Sequence, residues 1–265
     1  MPSAVGTYRT RAVPGLRHLD ATDVDALRRV SDAVGVTTMF FPASQPNVEW
    51  CEAHPAEAES ANLDPLRAAL AVARERGALL VAYSSDYVFD GKAGPYAEGD
   101  ARHPISVYGR IKVQAETLVL AANGLVVRTT GVFGREPGEP RNFVLRLVAS
   151  LARGERVTVP NDQWSTPSYS DDLAGASVLL ADARETGVWN VAGPDLVSRD
   201  ELARRAARAF DLPVEGIVPV PTSSLGQKAP RPLRGGLRVD KLAARFGVAP
   251  RSLDDALADL RRMTA

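Results

Sequence analysis

The amino-acid sequence predicts an α/β fold with a doubly wound parallel sheet and a smaller C-terminal lobe. In the first half, short apolar runs without strict alternation are separated by helical patterns, which is typical of parallel strands covered on both faces. After about residue 135 the predicted elements become shorter, and the alternation of strand and helix becomes less regular. This change predicts a sheet domain over residues 1–135 and an interleaved substrate lobe over residues 136–265, with residues 168–192 returning to the sheet.

The first half is predicted to alternate strand and helix. The helix of residues 23–34 places Leu27, Val30 and Val34 on one face, and the helix of residues 56–76 ends at Gly77, a residue that favours helix C-termini. The predicted strands are residues 4–8, 36–41, 79–83 and 125–128, and the third helix is residues 107–122.

The second half is predicted to hold shorter elements around an extended loop. The predicted helices are residues 142–153, 171–181, 199–210, 241–246 and 253–263, and the strands are residues 157–159 and 188–191. Residues 218–236 are rich in proline and glycine and are predicted to form the loop.

Composition excludes several classes of protein. The 32 basic and 32 acidic residues give a formal net charge of zero, which argues against nucleic-acid binding. The single cysteine, Cys51, forms no internal disulfide, and with only three histidines no typical zinc site is expected, so we expect no metal. The sequence shows neither a membrane span nor a signal core, which predicts a soluble, cytoplasmic protein without a membrane partner.

Tyr108 and Lys112 are a candidate proton-transfer pair. Residues four apart on a helix share a face, so the phenol and the ammonium would point into the same space. The cation would favour the phenolate and lower the tyrosine pKa. A surface lysine beside a half-buried tyrosine is the alternative, but only four of the 32 basic residues are lysine, which makes Lys112 informative.

Ser84, Ser85 and Asp86 follow a predicted strand at its C-terminal end, where open α/β sheets bind ligands. A serine hydroxyl at that place could hydrogen-bond a substrate carbonyl, although serine and aspartate are also ordinary turn residues. A serine followed 23 residues later by Tyr-x-x-x-Lys is more specific than either part alone.

Three segments carry a family resemblance: YSSDYVFDG at residues 83–91, YGRIK at residues 108–112 and RTTGVFG at residues 128–134. With them, the chain resembles the extended short-chain dehydrogenase/reductases, and among these the dTDP-4-dehydrorhamnose reductase branch of sugar-nucleotide reductases. The resemblance implies a Rossmann-type sheet, the cofactor NADP(H), a nucleotide-diphosphate sugar as substrate and a role in dTDP-rhamnose biosynthesis. A homodimer is compatible with the resemblance but is not implied by it.

The resemblance also implies roles for individual residues. Ser85 would polarise the keto oxygen, Tyr108 would give it a proton, and Lys112 would lower the tyrosine pKa and bind the nicotinamide ribose. The other cofactor-binding residues would be Arg9, Asp20, Ala43, Ser44, Asn62 and Thr130. Asp86, Asn142 and Arg231 would contact the substrate with Ser85, although Asn142 also suits a helix N-cap and Arg231 a surface position.

The glycine-rich G-x-G-x-x-G loop of dinucleotide-binding sheets is absent, because no two glycines are separated by a single residue. The first strand is followed by Arg9-Thr10-Arg11, as in the second strand of an NADP-binding domain. We therefore expect an N-terminally incomplete sheet whose chain begins about one β–α unit, roughly 30 residues, late. A start codon assigned downstream of the true one, or a genuine truncation, would explain it.

In such a chain the sheet would have a gap between the strands of residues 4–8 and 36–41. The chain would bind NADP(H) poorly, because the helix N-terminus that holds the pyrophosphate would be missing. The leading interpretation is an NADP-dependent oxidoreductase that reduces a nucleotide-activated 4-keto-6-deoxy sugar. The alternatives are a non-catalytic or regulatory binding subunit, similar to the regulatory subunit of methionine adenosyltransferase, and an inactive truncated fragment.

Overall fold

The chain folds into ten short strands and nine α-helices within residues 4–264, the part that the computed structural model describes. The strands are β1 (Thr7–Tyr8), β2 (Arg17–His18), β3 (Thr38–Phe41), β4 (Leu79–Ser85), β5 (Leu125–Thr129), β6 (Val157–Pro160), β7 (Trp164–Ser165), β8 (Gly187–Asn190), β9 (Val197–Ser198) and β10 (Ile217–Val220). The helices are α1 (Val24–Val34), α2 (Val48–Ala53), α3 (Pro55–Glu75), α4 (Val107–Ala121), α5 (Phe143–Ala152), α6 (Ser170–Asp182), α7 (Arg199–Ala209), α8 (Asp240–Phe246) and α9 (Leu253–Thr264).

The main sheet is parallel and has the strand order β3, β4, β5 and β8. Helices cover both of its faces, which is why every residue of β5 is buried. Leu125 and Val127 pack in the same cluster as Leu180 of α6, whereas Val126 packs in the cluster that contains Leu66 of α3. The predicted doubly wound parallel sheet is confirmed.

β1 and β2 form a separate parallel pair. Within residues 4–264 no strand ladder joins β1 to β3, so the predicted gap between these two strands is present. The pair is held to the rest of the molecule through side chains, because Leu19 beyond β2 and Leu27 of α1 pack against Val72 of α3. The part of the sheet where a dinucleotide-binding fold has its first strand is therefore discontinuous.

A second hydrophobic core lies in the C-terminal half. Val144 of α5, Leu202 of α7 and Leu257 of α9 are buried in it. Around it, β6 pairs with β10 in parallel and β7 pairs with β9 antiparallel. β8 instead joins the main sheet beside β5. The division into lobes at residues 135 and 136 stays a prediction.

The predicted element order was wrong in several places, and the two-residue strands β7 and β9 were not predicted. The segment predicted as an extended loop, residues 218–236, begins inside β10. Pro219 is tolerated in this strand because β10 pairs with β6 on one side only, so a residue without a backbone N–H can face the unpaired side. The sequence reading also missed α2, a short helix capped by Asn47, whose side chain accepts a hydrogen bond from the Trp50 amide. No helix within residues 4–264 has the length and apolar character needed to cross a membrane.

A buried ion pair between Glu116 of α4 and Arg128 of β5 fastens the helix to the sheet. Arg128 Nε and Nη2 each donate to the carboxylate at 2.8 Å, and neither side chain is more than 2% exposed. Ser84 Oγ and Arg102 Nη1 donate to the same carboxylate at 2.6 and 3.1 Å. Burial would raise the pKa of Glu116, but the bonds and charge of Arg128 hold it below its usual range.

We expect Arg128→Met to lower the free energy of unfolding by about 3–5 kcal/mol, because Glu116 would stay buried without its main partner. Urea unfolding at neutral pH measures the change. Arg153→Met is the matched control, since Arg153 pairs with Glu155 at an exposed site and its loss should change little. A midpoint for Arg128→Met equal to that of the control would contradict the role given to the buried pair.

Candidate active site

The end of β4 and the first turns of α4 carry the predicted catalytic residues. β4 ends at Ser85, and Ser106 caps α4 by accepting a hydrogen bond from the helix backbone at 3.1 Å. Tyr108 and Lys112 follow, one helical turn apart. Lys112 Nζ lies 5.6 Å from the centroid of the Tyr108 ring and donates to the backbone oxygen of Tyr83 at 3.0 Å. The helix thus holds the phenol and the ammonium beside β4.

The two neighbouring serines of β4 have different surroundings. Ser84 is buried and its hydroxyl donates to Glu116, so it belongs to the ion-pair network beneath α4. Ser85 is partly exposed, donates to Asp86 Oδ1 at 3.1 Å and accepts from the Tyr87 amide at 3.3 Å. Successive strand residues face opposite sides. Of the two hydroxyls, that of Ser85 has the surroundings of a substrate contact.

Asp86 joins three segments at this place. Its Oδ2 accepts from Thr130 Oγ1 at 2.8 Å and from the Gly236 amide at 3.0 Å, while Oδ1 accepts from Ser85. Burial raises the pKa of Asp86, and the hydrogen bonds from Gly236, Thr130 and Ser85 oppose that shift. Of the predicted site residues, Asp86 and Thr130 are therefore in direct contact.

The expected lowering of the Tyr108 pKa was wrong for this structure. Burial raises the pKa of Tyr108, the nearby Tyr87 and Asp86 raise it further, and the Ser44 hydroxyl opposes the shift. The sequence reading assumed that the Lys112 ammonium faces the phenol. In the structure the Lys112 ammonium donates to the Tyr83 backbone oxygen, and Lys112 is not among the groups that shift the pKa of Tyr108.

Lys112 has a depressed pKa. Burial lowers the pKa of its ammonium to about 8, and the charge of Glu116 four residues further along α4 opposes that shift. The lysine is therefore close to its titration range near neutral pH.

Three of the predicted cofactor residues lie together with Lys112. Ser44 Oγ and the Gln45 amide both donate to Asn62 Oδ1 at 2.9 Å. Ala43 and Asn62 line a small cavity with Lys112 at the ends of β3 and β4. The loop after β3 is thus bonded to α3 beside Lys112.

Arg9 and Asp20 lie apart from this group, on the β1–β2 pair. Arg9 Nε is 3.3 Å from Asp20 Oδ2, and both side chains are largely exposed. Arg9 also borders a cleft of about 390 Å³ with Trp50 of α2 and Ser60 of α3. The structure brings these two predicted residues to each other and not to Tyr108.

Asn142 and Arg231 occupy two edges of the C-terminal half. Asn142 caps α5, since its Oδ1 accepts from the Leu145 amide at 3.0 Å, which is the helix-cap role left open above. Arg231 Nη2 donates to Glu49 Oε1 at 2.7 Å and Nη1 to the Tyr87 hydroxyl at 3.2 Å. Contact of either residue with a substrate stays a prediction.

The sequence reading missed two residues that complete the site. The Tyr87 ring meets that of Tyr108 edge-on at 5.6 Å, and Glu49 of α2 fixes the Arg231 loop by accepting from the Lys228 amide at 2.9 Å. Tyr87 lies within the YSSDYVFDG segment that carries the family resemblance, whereas Glu49 lies on α2, a helix that was not predicted. Among residues 4–264 no three His, Cys, Asp or Glu side chains group as metal ligands would.

Comparison with known proteins identifies the family. The model of the RmlD substrate binding domain matches residues 4–264. The chain belongs to the RmlD substrate binding domain family.

Members of several kinds are similar to this RmlD-family chain. The dTDP-4-dehydrorhamnose reductase of Mycobacterium tuberculosis is 37% identical over 80% of the chain and 71% of its own length. Methionine adenosyltransferase 2 subunit beta of Danio rerio is 28% identical over 90% of the chain and 76% of its own length. The crystal structure of dTDP-4-dehydrorhamnose reductase from Bacillus anthracis in complex with NADP superposes with a TM-score of 0.86, at 25% identity, covering 92% of this chain and 87% of that one.

The depressed pKa of Lys112 predicts how stability depends on pH. Because its folded-state pKa of about 8 lies below the ordinary 10.5, the cost of burying the ammonium is present below pH 8 and disappears as the pH rises towards 10.5. Relative to Lys112→Met, the wild-type free energy of unfolding should rise by roughly 2 kcal/mol between about pH 7 and about pH 9.5. Urea unfolding across this range tests it, with Lys92→Met at an exposed site as control. Parallel curves for wild type and Lys112→Met would contradict the burial of a charged Lys112.

Proposed function

We propose that this RmlD-family chain is an NADP-dependent reductase of a nucleotide-activated 4-keto-6-deoxy sugar, of the dTDP-4-dehydrorhamnose reductase type. The observation that carries the proposal is the placement of Tyr108 and Lys112 on one face of α4, beside the end of β4 that presents Ser85. The similar reductases of Mycobacterium tuberculosis and Bacillus anthracis support the substrate class. A cytoplasmic location and a homodimer stay predictions.

The site residues have complementary parts in such a reduction. Bound NADPH would supply the hydride that forms the new C–H bond. The Ser85 hydroxyl hydrogen-bonds the keto oxygen and polarises the carbonyl. Tyr108 gives its phenolic proton to that oxygen as the carbonyl π bond breaks, which requires a tyrosine that is protonated beforehand. A tyrosine of ordinary pKa already carries this proton at neutral pH, and burial, which raises the pKa of Tyr108, keeps the proton in place but makes the phenol a weaker acid.

The described residues offer groups for the two ends of NADPH but no glycine-rich loop for the pyrophosphate between them. Asn62, Ser44 and Lys112 offer polar groups beside the catalytic tyrosine, where a nicotinamide ribose would lie. Arg9, at the end of β1, offers a cation for a ribose phosphate. The sequence has no G-x-G-x-x-G loop for the pyrophosphate, so we expect weak NADPH binding.

A second candidate function is a non-catalytic subunit. The similarity to methionine adenosyltransferase 2 subunit beta favours it. Such a subunit differs from the reductase in having no turnover even when the sugar nucleotide is bound.

The test of the reductase is NADPH oxidation by the full chain with a dTDP-4-keto-6-deoxy sugar, at NADPH concentrations high enough to offset weak binding. We expect wild type to form the 4-hydroxy sugar and Tyr108→Phe to lower kcat by roughly 100-fold or more, because the proton donor is lost. Absorbance of NADPH and chromatography of the sugar product give the rates.

Tyr169→Phe is the matched control, because the Tyr169 hydroxyl bonds Asp259 of α9, outside the site described above. It should keep the wild-type kcat. Equal rates for Tyr108→Phe and wild type would show that Tyr108 is not the proton donor. Binding of the sugar nucleotide without any NADPH oxidation by wild type would favour the non-catalytic subunit.

A further inference from the structure

The first turn of α4 carries Tyr108, and it lies far from the ion pair that fastens this helix to the sheet. Glu116 follows Tyr108 by eight residues, which is about 12 Å along a helix axis. The first amides of a helix have no acceptor within the helix, so the first turn frays unless other groups bind them. The position of the Tyr108 phenol therefore depends on what holds this end of α4.

Glu52 of α2 is bonded to that end of the helix. Its Oε2 accepts a hydrogen bond from the Val107 amide, the first amide of α4, at 2.9 Å. The Ser106 hydroxyl accepts from the Gly109 amide at 3.1 Å, so two acceptors bind different amides of the same turn. The Glu52 carboxylate makes no ion pair within residues 4–264, and a negative charge at a helix N-terminus is favoured by the helix dipole.

α2 is in turn held by the elements on either side of it. Cys51 has no exposed surface and packs in one cluster with Ile111 of α4. Glu49 accepts from the Lys228 amide at 2.9 Å and from Arg231 Nη2 at 2.7 Å, both in the loop before α8. Because α2 cannot shift without losing these contacts, its carboxylate binds α4 from a fixed position.

We infer that Glu52 is a positioning residue of the reduction, an inference that rests on the proposed function. By holding the first turn of α4, Glu52 keeps the Tyr108 phenol where it can give its proton to a ketone that is bonded to Ser85. In this role the carboxylate acts through the α4 backbone and not by contact with the sugar or the cofactor. A displacement of reacting groups by about 1 Å can lower a rate by roughly 100-fold. Loss of Glu52 should therefore lower kcat and leave the affinity for the sugar nucleotide unchanged.

The test compares kcat and KM of the full chain for a dTDP-4-keto-6-deoxy sugar at saturating NADPH. Glu52→Ala removes the acceptor and should lower kcat by at least about tenfold, with KM for the sugar nucleotide within about twofold of wild type. Glu52→Gln keeps an acceptor oxygen and should restore kcat to within about threefold of wild type. Glu59→Ala is the matched control, because Glu59 is an exposed glutamate of the adjoining α3, and it should keep both constants.

Amide hydrogen exchange, measured by NMR, gives a readout that does not depend on turnover. The Gly109 amide bonds Ser106 and not Glu52, so it reports whether the first turn as a whole has loosened. It should exchange at least about tenfold faster in Glu52→Ala than in wild type or Glu52→Gln. The amide of Val119, near the other end of α4, should exchange at the same rate in all of them. Should Glu52→Ala fail to fold, Glu52→Asp takes its place, since the shorter side chain keeps the charge but not the reach.

The two measurements separate the positioning role from the reductase itself. A kcat for Glu52→Ala equal to that of Glu59→Ala, or an equally large loss in Glu52→Gln, would overturn the role of Glu52. A raised KM with an unchanged kcat would also overturn it, because Glu52 would then act on binding. Absence of turnover in wild type would refute the reductase, and the Gly109 exchange rates would then decide whether Glu52 positions Tyr108. Faster exchange in Glu52→Ala alone would support that role, and equal rates in all variants would refute it.

Discussion

The carboxylate of Glu116 is the group on which the geometry of the site depends. It receives hydrogen bonds from Arg128 on β5, Ser84 on β4 and Arg102 in the loop before α4. Two strands and the helix thus meet at one buried anion. Each partner is needed, because a carboxylate in this position is stable only while its donors remain in place. The angle at which α4 lies on the sheet is fixed at this point.

The position of α4 on the sheet also sets the positions of Tyr108 and Lys112. Lys112 lies one turn before Glu116 on α4, and Tyr108 one turn before Lys112, so the three side chains follow one face of the helix. Ser84 and Ser85 are adjacent on β4, and the first is bonded to Glu116 while the second reaches Asp86. The same ion pair therefore sets the position of the helix that carries Tyr108 and of the strand that carries Ser85. The charge of Glu116 also opposes the fall in the Lys112 pKa that burial causes.

Periodicity and motif spacing were sufficient to predict the parallel sheet, α4 and the gap between β1 and β3. They could not predict the ion pairs, because Glu116 on a helix pattern looks like a solvated residue until the register of β4 and β5 places Arg128 and Ser84 beside it. The direction of the Tyr108 pKa depends on burial and on where the Lys112 ammonium points, which a four-residue spacing does not specify.

The hydrogen bonds of Ser85 show what substrate binding would have to change. A hydroxyl has one proton, and that of Ser85 is directed to Asp86. To polarise a ketone, the hydroxyl must rotate and donate to the substrate, which leaves Asp86 with the donors Thr130 and Gly236. Gly236 belongs to the same loop as Arg231, and Arg231 donates to Glu49 of α2. The loop before α8 therefore connects the carboxylate beside Ser85 to α2.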